Sequence, residues 1–293
     1  MKVSEALDKG TPTLSFEFFP PKTEEQEAKL FKVIATLKTL KPDYVSVTYG
    51  ALGNTREKTF YWVKKIKEDF GLEPVVHLTC VAAGRDEILA QIRQLQEIKI
   101  DNVLALRGDP PQGDDEFVAP AGGLAHASDL VAFIKHRAPE FCLGVAGYPE
   151  KHPEAASFGS DILHLKKKVA AGADYICTQL FFDNQAFFYF REKCQKAGIK
   201  VPIIPGLMPI TGLKLLTKMT GICGATIPSG LLAKLEKNSA DHEAVLKIGV
   251  EQTVRQCQEL LDKGAPGLHF FVMNQSSPIS EILKEVPTFS RRR

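Results

Sequence analysis

Glu17 is the residue whose type and surroundings most clearly suggest chemistry. It lies in the segment Leu14-Ser15-Phe16-Glu17-Phe18-Phe19-Pro20-Pro21, a lone carboxylate among three phenylalanines. Side chains alternate along a strand, which places Glu17 on the opposite face from Phe16 and Phe18. A carboxylate in apolar surroundings loses solvation of its charged form, so its pKa rises and it can act as a general acid. The alternative is an ordinary side chain that points to solvent or pairs with Arg or Lys.

Other polar residues follow apolar runs of the chain in the same way. Each could be structural, since a lone histidine such as His77 is often a hydrogen-bonded core residue. Arg107 and Asp109 could likewise form an ion pair across a tight turn at Gly108. Packing does not require polar side chains at one end of successive buried strands, so together they indicate a site. The groups are Thr48-Tyr49-Gly50-Ala51, His77 and Thr79, Arg107-Gly108-Asp109, the segment 147–153 with Tyr148 and His152, Gln179, and Asn274-Gln275.

The basic run Lys166-Lys167-Lys168 has two interpretations. It is either a solvated helix face or part of the site, because Asp161 and Lys168 lie two turns apart on one helix face and can reach the same ligand. The acidic loop 110–127 either closes over a ligand or is a mobile connection. No cluster of His, Cys and carboxylates has the spacing of a metal site, and no Ser/His/Asp arrangement stands out.

The elements that must position these residues are eight short apolar runs, most of them roughly 30 residues apart. This period predicts a (β/α)8 TIM barrel, in which the C-terminal ends of the strands converge on one site. A doubly wound open sheet is the alternative, weakened by the lack of a Gly-x-Gly-x-x-Gly turn after an early strand. Residues 211–266 predict an extra helical segment between strands seven and eight, and Ser160 is a candidate helix cap. The runs are Leu14–Phe19, Tyr44–Thr48, Val75–Thr79, Val103–Leu106, Leu143–Ala146, Tyr175–Thr178, Ile203–Ile204 and Leu268–Met273.

The composition narrows the class of protein. The 293 residues are 44% hydrophobic and 25% charged, with a formal net charge of +2, which argues against a nucleic-acid-binding protein. No apolar run approaches the length of a membrane span, and the N-terminus lacks the apolar core of a secretory signal. The six cysteines are scattered, without a Cys-x-x-Cys pair, which favours a reducing cytoplasm. No linker or composition break is visible, so we expect a single catalytic domain over residues 1–293.

Taken in order, the strand-end motifs closely resemble those of the methylenetetrahydrofolate reductase family. Any one of these motifs is weak evidence, but their number and their shared order along nearly the whole chain make the resemblance specific. The matching segments are Ser15 to Pro21, Val45 to Ala51, His77 to Cys80, Ala105 to Asp109, Gly147 to Glu150, His152 to Ala155, Thr178 to Asp183, Ile204 to Pro209 and His269 to Phe271.

The resemblance implies a barrel that binds FAD and reduces 5,10-methylenetetrahydrofolate to 5-methyltetrahydrofolate with NADH or NADPH, by a ping-pong mechanism that feeds methionine synthesis. It also implies a homo-oligomer. Glu17 would be the general acid, Asp109 would bind the pterin and tune the flavin potential, and Gln179 and Gln275 would contact the folate. The residues implied to bind FAD are Thr48, Tyr49, Ala51, His77, Arg107, Gly108, Asp109, Ala127, Tyr148, His152, Ala155, Asp161, His164, Lys167 and Lys168.

The chain departs from the family pattern at three positions. Gln275 stands where relatives have an arginine, Phe271 replaces a tyrosine, and His126 stands where a tyrosine is common. The chain ends soon after the eighth strand, so we expect a bacterial-type enzyme without the regulatory domain of eukaryotic relatives. Two other functions stay open at this point. One is another flavin barrel, such as a proline-dehydrogenase-like oxidase, and the other is a non-catalytic flavin- or folate-binding protein.

Overall fold

The computed structural model of this protein describes residues 1–48, 56–109, 117–120 and 122–290. Within them, eight parallel strands form a closed barrel in which each strand pairs with the next and the last pairs with the first. This confirms the predicted (β/α)8 fold and excludes the open sheet. Tyr49 and Ala51 lie outside the described residues. The strands are β1 (Thr13–Phe18), β2 (Tyr44–Val47), β3 (Pro74–Thr79), β4 (Asn102–Leu106), β5 (Cys142–Gly147), β6 (Tyr175–Leu180), β7 (Ile203–Leu207) and β8 (Gly267–Phe271).

Helices surround the barrel and bury the outward faces of the strands. Phe16, Phe18 and Val76 point outward and belong to one continuous core with the inner faces of these helices. The helices are α1 (Val3–Leu7), α2 (Glu24–Lys38), α3 (Arg56–Phe70), α4 (Arg85–Glu97), α5 (Ala127–Arg137), α6 (Phe158–Ala170), α7 (Asn184–Lys196), α8 (Leu213–Cys223), α9 (Ser229–Lys237), α10 (His242–Asp262), α11 (Ser277–Glu285) and α12 (Pro287–Ser290).

The connection from β7 to β8 contains α8, α9 and α10, as the length of segment 211–266 predicts. These helices form a second apolar cluster with residues that follow β6 and β7, among them Phe182, Met208 and Ile210. Because this cluster lies beyond the C-terminal ends of the strands, the extra helices build up one side of the barrel mouth.

The N-terminal end of the barrel is closed by α1. Its first residue, Val3, packs with the inward side chains of Tyr44, Tyr175 and Ile204. The backbone N–H of Val3 donates a 2.8 Å hydrogen bond to the buried side chain of Asn102. The open end of the barrel is therefore the C-terminal end, where the polar strand ends converge.

Two local predictions are wrong, for identifiable reasons. The cap of α6 is Ser157, whose hydroxyl oxygen accepts from the N–H of Ser160 at 3.1 Å, so Ser160 lies inside the first turn. Strand β8 ends at Phe271 and not at Met273, because Met273 and Asn274 have left-handed φ angles of +48° and +54° that turn the chain out of the sheet.

Candidate active site

Glu17 lies at the mouth of the barrel, on the inward face of β1. Its carboxylate is buried and meets imidazoles from two distant strands: Nε2 of His77 and Nε2 of His269 each lie 3.4 Å from Oε2. The hydroxyl of Ser46 also donates to Oε2, at 3.4 Å. Behind His269, the Ser15 hydroxyl lies 2.9 Å from Nδ1. The opposite orientation of Phe16 and Phe18 is confirmed, but the surroundings of Glu17 are polar rather than aromatic.

The predicted rise in the pKa of Glu17 is wrong. Burial does push the pKa upward, but the positive charge of His77 and the hydrogen bond from His269 outweigh it and lower the pKa from 4.5 to about 2. The expectation failed because it used only the neighbours of Glu17 in sequence. Glu17 is therefore an ionised carboxylate paired with two histidines, neither an acid in an apolar pocket nor a partner of Arg or Lys.

Two buried polar atoms beside this cluster have no aligned partner. Nε2 of His77 is close enough to Glu17 for charge attraction, yet it makes no properly aligned hydrogen bond within the described part of the chain. The hydroxyl of Thr79, two residues further along β3, is also buried and has no hydrogen-bond partner among the described residues. Buried polar groups in proteins nearly always have partners, so these two atoms are suited to a ligand at the barrel mouth.

A cleft of about 220 Å3 opens at the C-terminal end of the barrel, between the loops that follow β4 and β5 and the helix α6. It brings together eight of the residues implied by the resemblance. The departure His126 and the unforeseen Ser128 and Glu154 also line it. The lining residues are Arg107, His126, Ala127, Ser128, Tyr148, His152, Glu154, Ala155, Asp161, His164 and Lys168.

The two cationic side chains of this cleft, Arg107 and Lys168, each make specific hydrogen bonds. Both terminal nitrogens of Arg107 donate to Glu154, at 2.6 and 2.7 Å, and this bidentate bond raises the pKa of Arg107. The half-buried side chain of Lys168 donates from its ammonium to the Ala146 carbonyl at 2.7 Å. Burial lowers the pKa of Lys168 to about 8, against the opposing attraction of Asp161. The ammonium of Lys168 therefore loses its proton more readily than that of an exposed lysine.

Helix phase separates the two lysines proposed for the site. Asp161, His164 and Lys168 follow one another at three- and four-residue spacing and share the face that lines the cleft. Lys167 is exposed and is absent from the cleft lining. The structure thus brings Lys168 to the site and leaves Lys167 outside it.

The loop after β5 is tied down by its own side chains. Lys151, with a left-handed φ of +88°, donates from its ammonium to the carbonyls of His152, Pro153 and Ala155 at 2.7–3.1 Å. The N–H of His152 donates to Asp161 at 2.9 Å. The cleft wall is therefore a rigid loop.

This loop also rests on the extra helices. The carboxylate of Glu150 accepts from the N–H of Thr226, in the connection from α8 to α9, at 3.0 and 3.1 Å. Tyr148 packs its ring edge-on against His152, 4.5 Å between centroids, and burial raises its pKa. The helices between β7 and β8 thereby support the cleft wall.

The remaining predicted residues lie around the mouth in different environments. Gln179 is half-buried on the inward face of β6, with its side-chain oxygen accepting from the N–H of Leu180 at 2.8 Å. Asp109 is exposed at the end of β4, after Gly108, and Thr48 is half-buried at the end of β2. Gly108 has a φ of +88° and packs so closely on Thr79 and Val81 that a Cβ would lie 2.7 Å from Val81.

Gln275 lies elsewhere than the cleft. It lines a second cavity of about 290 Å3, together with Thr211 and His242 and residues of α10 and α11. Phe271, the other departure on this side, covers Gly206, where an added Cβ would approach its ring to 2.7 Å. The structure therefore does not bring Gln275 into the cleft that holds Arg107 and Lys168.

Some residues of the site were not predicted from the sequence. Ser15 and Ser46 could have been found, because each lies two residues from another inward position of its own strand. His269 occupies the matching inward position of β8. Glu154 had no such signal, because its partner Arg107 is 47 residues away in the chain.

Known proteins are similar to this chain over most of its length. A family model described as methylenetetrahydrofolate reductase matches residues 2–287. The 5,10-methylenetetrahydrofolate reductase of Salmonella typhimurium is 40% identical over 267 residues, covering 91% of this chain and 88% of that protein. Methylenetetrahydrofolate reductase (NADH) 1 of Arabidopsis thaliana is 39% identical over 93% of this chain. The chain spans about half the length of that plant relative, 48%.

A solved structure supports the fold independently. It is an uncharacterised protein from Clostridium thermocellum that binds two copies of 5-methyl-5,6,7,8-tetrahydrofolic acid. The similarity covers 99% of this chain and 98% of that one, with a TM-score of 0.67 and 19% sequence identity. In the described ranges, none of the helices combines the length and apolar character needed to cross a bilayer.

Proposed function

The chain belongs to the methylenetetrahydrofolate reductase family, and from that premise we propose that it reduces 5,10-methylenetetrahydrofolate to 5-methyltetrahydrofolate with NADH or NADPH. The observation that carries the proposal is that the C-terminal end of the barrel holds both the buried Glu17 cluster and a cleft lined by Arg107 and Lys168. The first supplies a place to hold a proton, and the second supplies positive charge for a phosphate-bearing ligand.

The residues of the cleft fit FAD as the resident cofactor. Two buried polar atoms without aligned partners, on His77 and Thr79, face the barrel mouth, and Arg107 and Lys168 offer cations for a pyrophosphate. When bound, FAD would take a hydride from the reduced nicotinamide and pass it to the folate, in two half-reactions that share one cleft. Thr48, Tyr148, His152, Ala155, Asp161 and His164 would complete the binding site.

The chain's own contribution to the chemistry is the movement of a proton. The five-membered ring of methylenetetrahydrofolate must open to an iminium before reduction, and opening requires a proton on a ring nitrogen. Glu17 is an ionised carboxylate flanked by the imidazoles of His77 and His269, so it must take up a proton before it can act as the general acid. A substrate bound at the mouth excludes water and favours the neutral acid, from which the proton is delivered.

Other residues would orient the substrate. Gln179 lies on the inward face of β6, and because its oxygen accepts from Leu180, its amide N–H groups would be the ones to bind a folate. We assign Asp109 to the pterin and to the tuning of the flavin potential, because a carboxylate disfavours extra negative charge nearby. The folate contact of Gln275 stays a prediction, and its place in the second cavity puts any such contact outside the cleft.

The decisive experiment follows the two half-reactions separately. The purified protein should be yellow, lose its colour when NADH or NADPH is added without oxygen, and regain it on addition of methylenetetrahydrofolate. Stopped-flow traces with each nicotinamide then give the preferred donor. Failure of methylenetetrahydrofolate to restore the colour would remove the proposed reaction, whereas reduction by proline would favour a proline-dehydrogenase-like oxidase. The proposal includes a homo-oligomer, which light scattering tests.

A further inference from the structure

The guanidinium of Arg107 is fixed from three sides at the edge of the cleft. Its Nε donates to the carbonyl of Gly108 at 3.2 Å, and its Cζ lies 5.1 Å from the centre of the Phe117 ring. Its two terminal nitrogens donate to the two carboxylate oxygens of Glu154, at 2.6 and 2.7 Å. Of these contacts, the bond to Glu154 is the only one that engages both ends of the guanidinium fork.

Glu154 is itself anchored by its backbone rather than by its carboxylate. Its N–H donates to Nδ1 of His152 at 3.1 Å, and it lies in the loop that Lys151 ties down through three carbonyls. The Glu154 side chain is 55% exposed, so it has no packing role in a core. A carboxylate on a fixed backbone can therefore serve as a holder for the longer and more flexible arginine.

Glu154 also determines the tautomer of a second residue that lines the cleft, His152. Because Nδ1 of His152 accepts the N–H of Glu154, the proton of a neutral imidazole resides on Nε2. Glu154 thus acts on two residues of the cleft, on Arg107 through its side chain and on His152 through its main chain.

We infer that Glu154 is a positioning residue for the cofactor, which holds the Arg107 guanidinium in the orientation that receives the anionic phosphate of FAD. The inference rests on the proposed binding of FAD. A free arginine would lose side-chain freedom when it binds a phosphate, and Glu154 removes that cost beforehand. The opposing effect is that the negative charge of Glu154 repels the same phosphate. The two effects differ in sign, so the sign of the change on substitution decides between them.

The test is a fluorescence titration of flavin-free protein with FAD. Glu154→Gln should bind FAD about three- to tenfold more weakly, the equivalent of ordering one flexible side chain. Glu140→Gln is the matched control, since it removes the same charge from an exposed side chain before β5, at the closed end of the barrel. It should bind FAD as the wild type does. Melting temperatures of the flavin-free variants should be equal, because both glutamates are exposed.

A double-mutant cycle shows whether Glu154 acts through Arg107. In an Arg107→Met background, Glu154→Gln should no longer weaken FAD binding, because there is no guanidinium left to hold. Equal or tighter binding by the single Glu154→Gln variant would overturn the inference in favour of charge repulsion. If Glu154→Gln weakens FAD binding equally in the wild type and in Arg107→Met, the inference is also overturned, because Glu154 would then act through the loop and independently of Arg107. A wild-type protein that binds no FAD would instead refute the proposed cofactor.

Discussion

The inside of the barrel has two layers that use the same strands for opposite purposes. The lower layer, toward α1, is formed by apolar and aromatic side chains such as Tyr44 on β2 and Val75 on β3. Two residues further along, the inward positions become Ser46 and His77, which contact Glu17. A step of two residues, roughly 7 Å along a strand, therefore separates packing from chemistry.

The difference shows how one fold separates stability from activity. In the lower layer, Tyr175 lies so close to Gly144 that a Cβ there would be 2.3 Å from the ring, as expected of a densely packed interior. The upper layer of Glu17, Ser46, His77 and His269 buries a carboxylate with two imidazoles, an arrangement that well-packed apolar side chains could replace without loss of stability. The proposed proton transfer therefore gives this arrangement a role that folding alone does not require.

The largest expected effect is a loss of activity, and it comes from Glu17→Gln in the upper layer. Without the acid, reoxidation by methylenetetrahydrofolate should slow about 10²- to 10⁴-fold, while reduction by the nicotinamide is unchanged. Stopped-flow measurement of the two half-reactions checks this, with Glu140→Gln as the variant that alters neither. Survival of both half-reactions in Glu17→Gln would show that the upper layer does not supply the proton.

The counterpart in the lower layer is Ile204→Ala. This fully buried side chain belongs to the cluster under α1, and its truncation should lower the free energy of unfolding by about 2–5 kcal/mol. Denaturant unfolding measures the loss. The rate constants of the folded fraction should stay at wild-type values. If the half-reactions slow as stability falls, the two layers are not separable.

Acid titration distinguishes the layers through the pKa of Glu17. Because its pKa is lowered from 4.5 to about 2 in the folded protein, Glu17 adds stability that is fully present above pH 4.5 and is lost as the pH falls toward 2. The wild type should therefore lose up to about 3 kcal/mol relative to Glu17→Gln over this range. Parallel unfolding curves of the two proteins at each pH provide the measurement. Identical pH dependence would contradict the histidine pairing.

The smallest expected effect is on FAD affinity and depends on the charge of Lys168, at the edge of the upper layer. Lys168 has its pKa lowered to about 8 by burial, so its positive charge, and with it FAD affinity, should decline as the pH rises through 8. Lys168→Met should weaken FAD binding about tenfold at pH 7 and remove this pH dependence. Lys167→Met is the control, one residue away and exposed. Titration with FAD from pH 7 to 9 tests both, and an equal loss in the control would contradict the assignment.

The sequence predicts the barrel well because buried parallel strands produce a signal within each short run. It also predicts which strand ends carry polar groups. It does not predict the pKa of Glu17, since its partners His77 and His269 are 60 and 252 residues away in the chain. The separation of Lys168 from Lys167 was available from helix phase, because Lys168 lies seven residues after Asp161 and Lys167 lies about 100° further round the helix.

The closure of the barrel by β1 and β8 also determines when the site can exist during folding. Ser15 pairs with His269 across this seam, and the Glu17–His269 contact spans nearly the whole chain. Contacts of such sequence separation form late, after the cost of closing a long loop has been met. A chain still emerging from the ribosome holds a solvated Glu17 with its ordinary acidity. The unusual acidity of this carboxylate can thus be acquired only after the two ends of the chain have met.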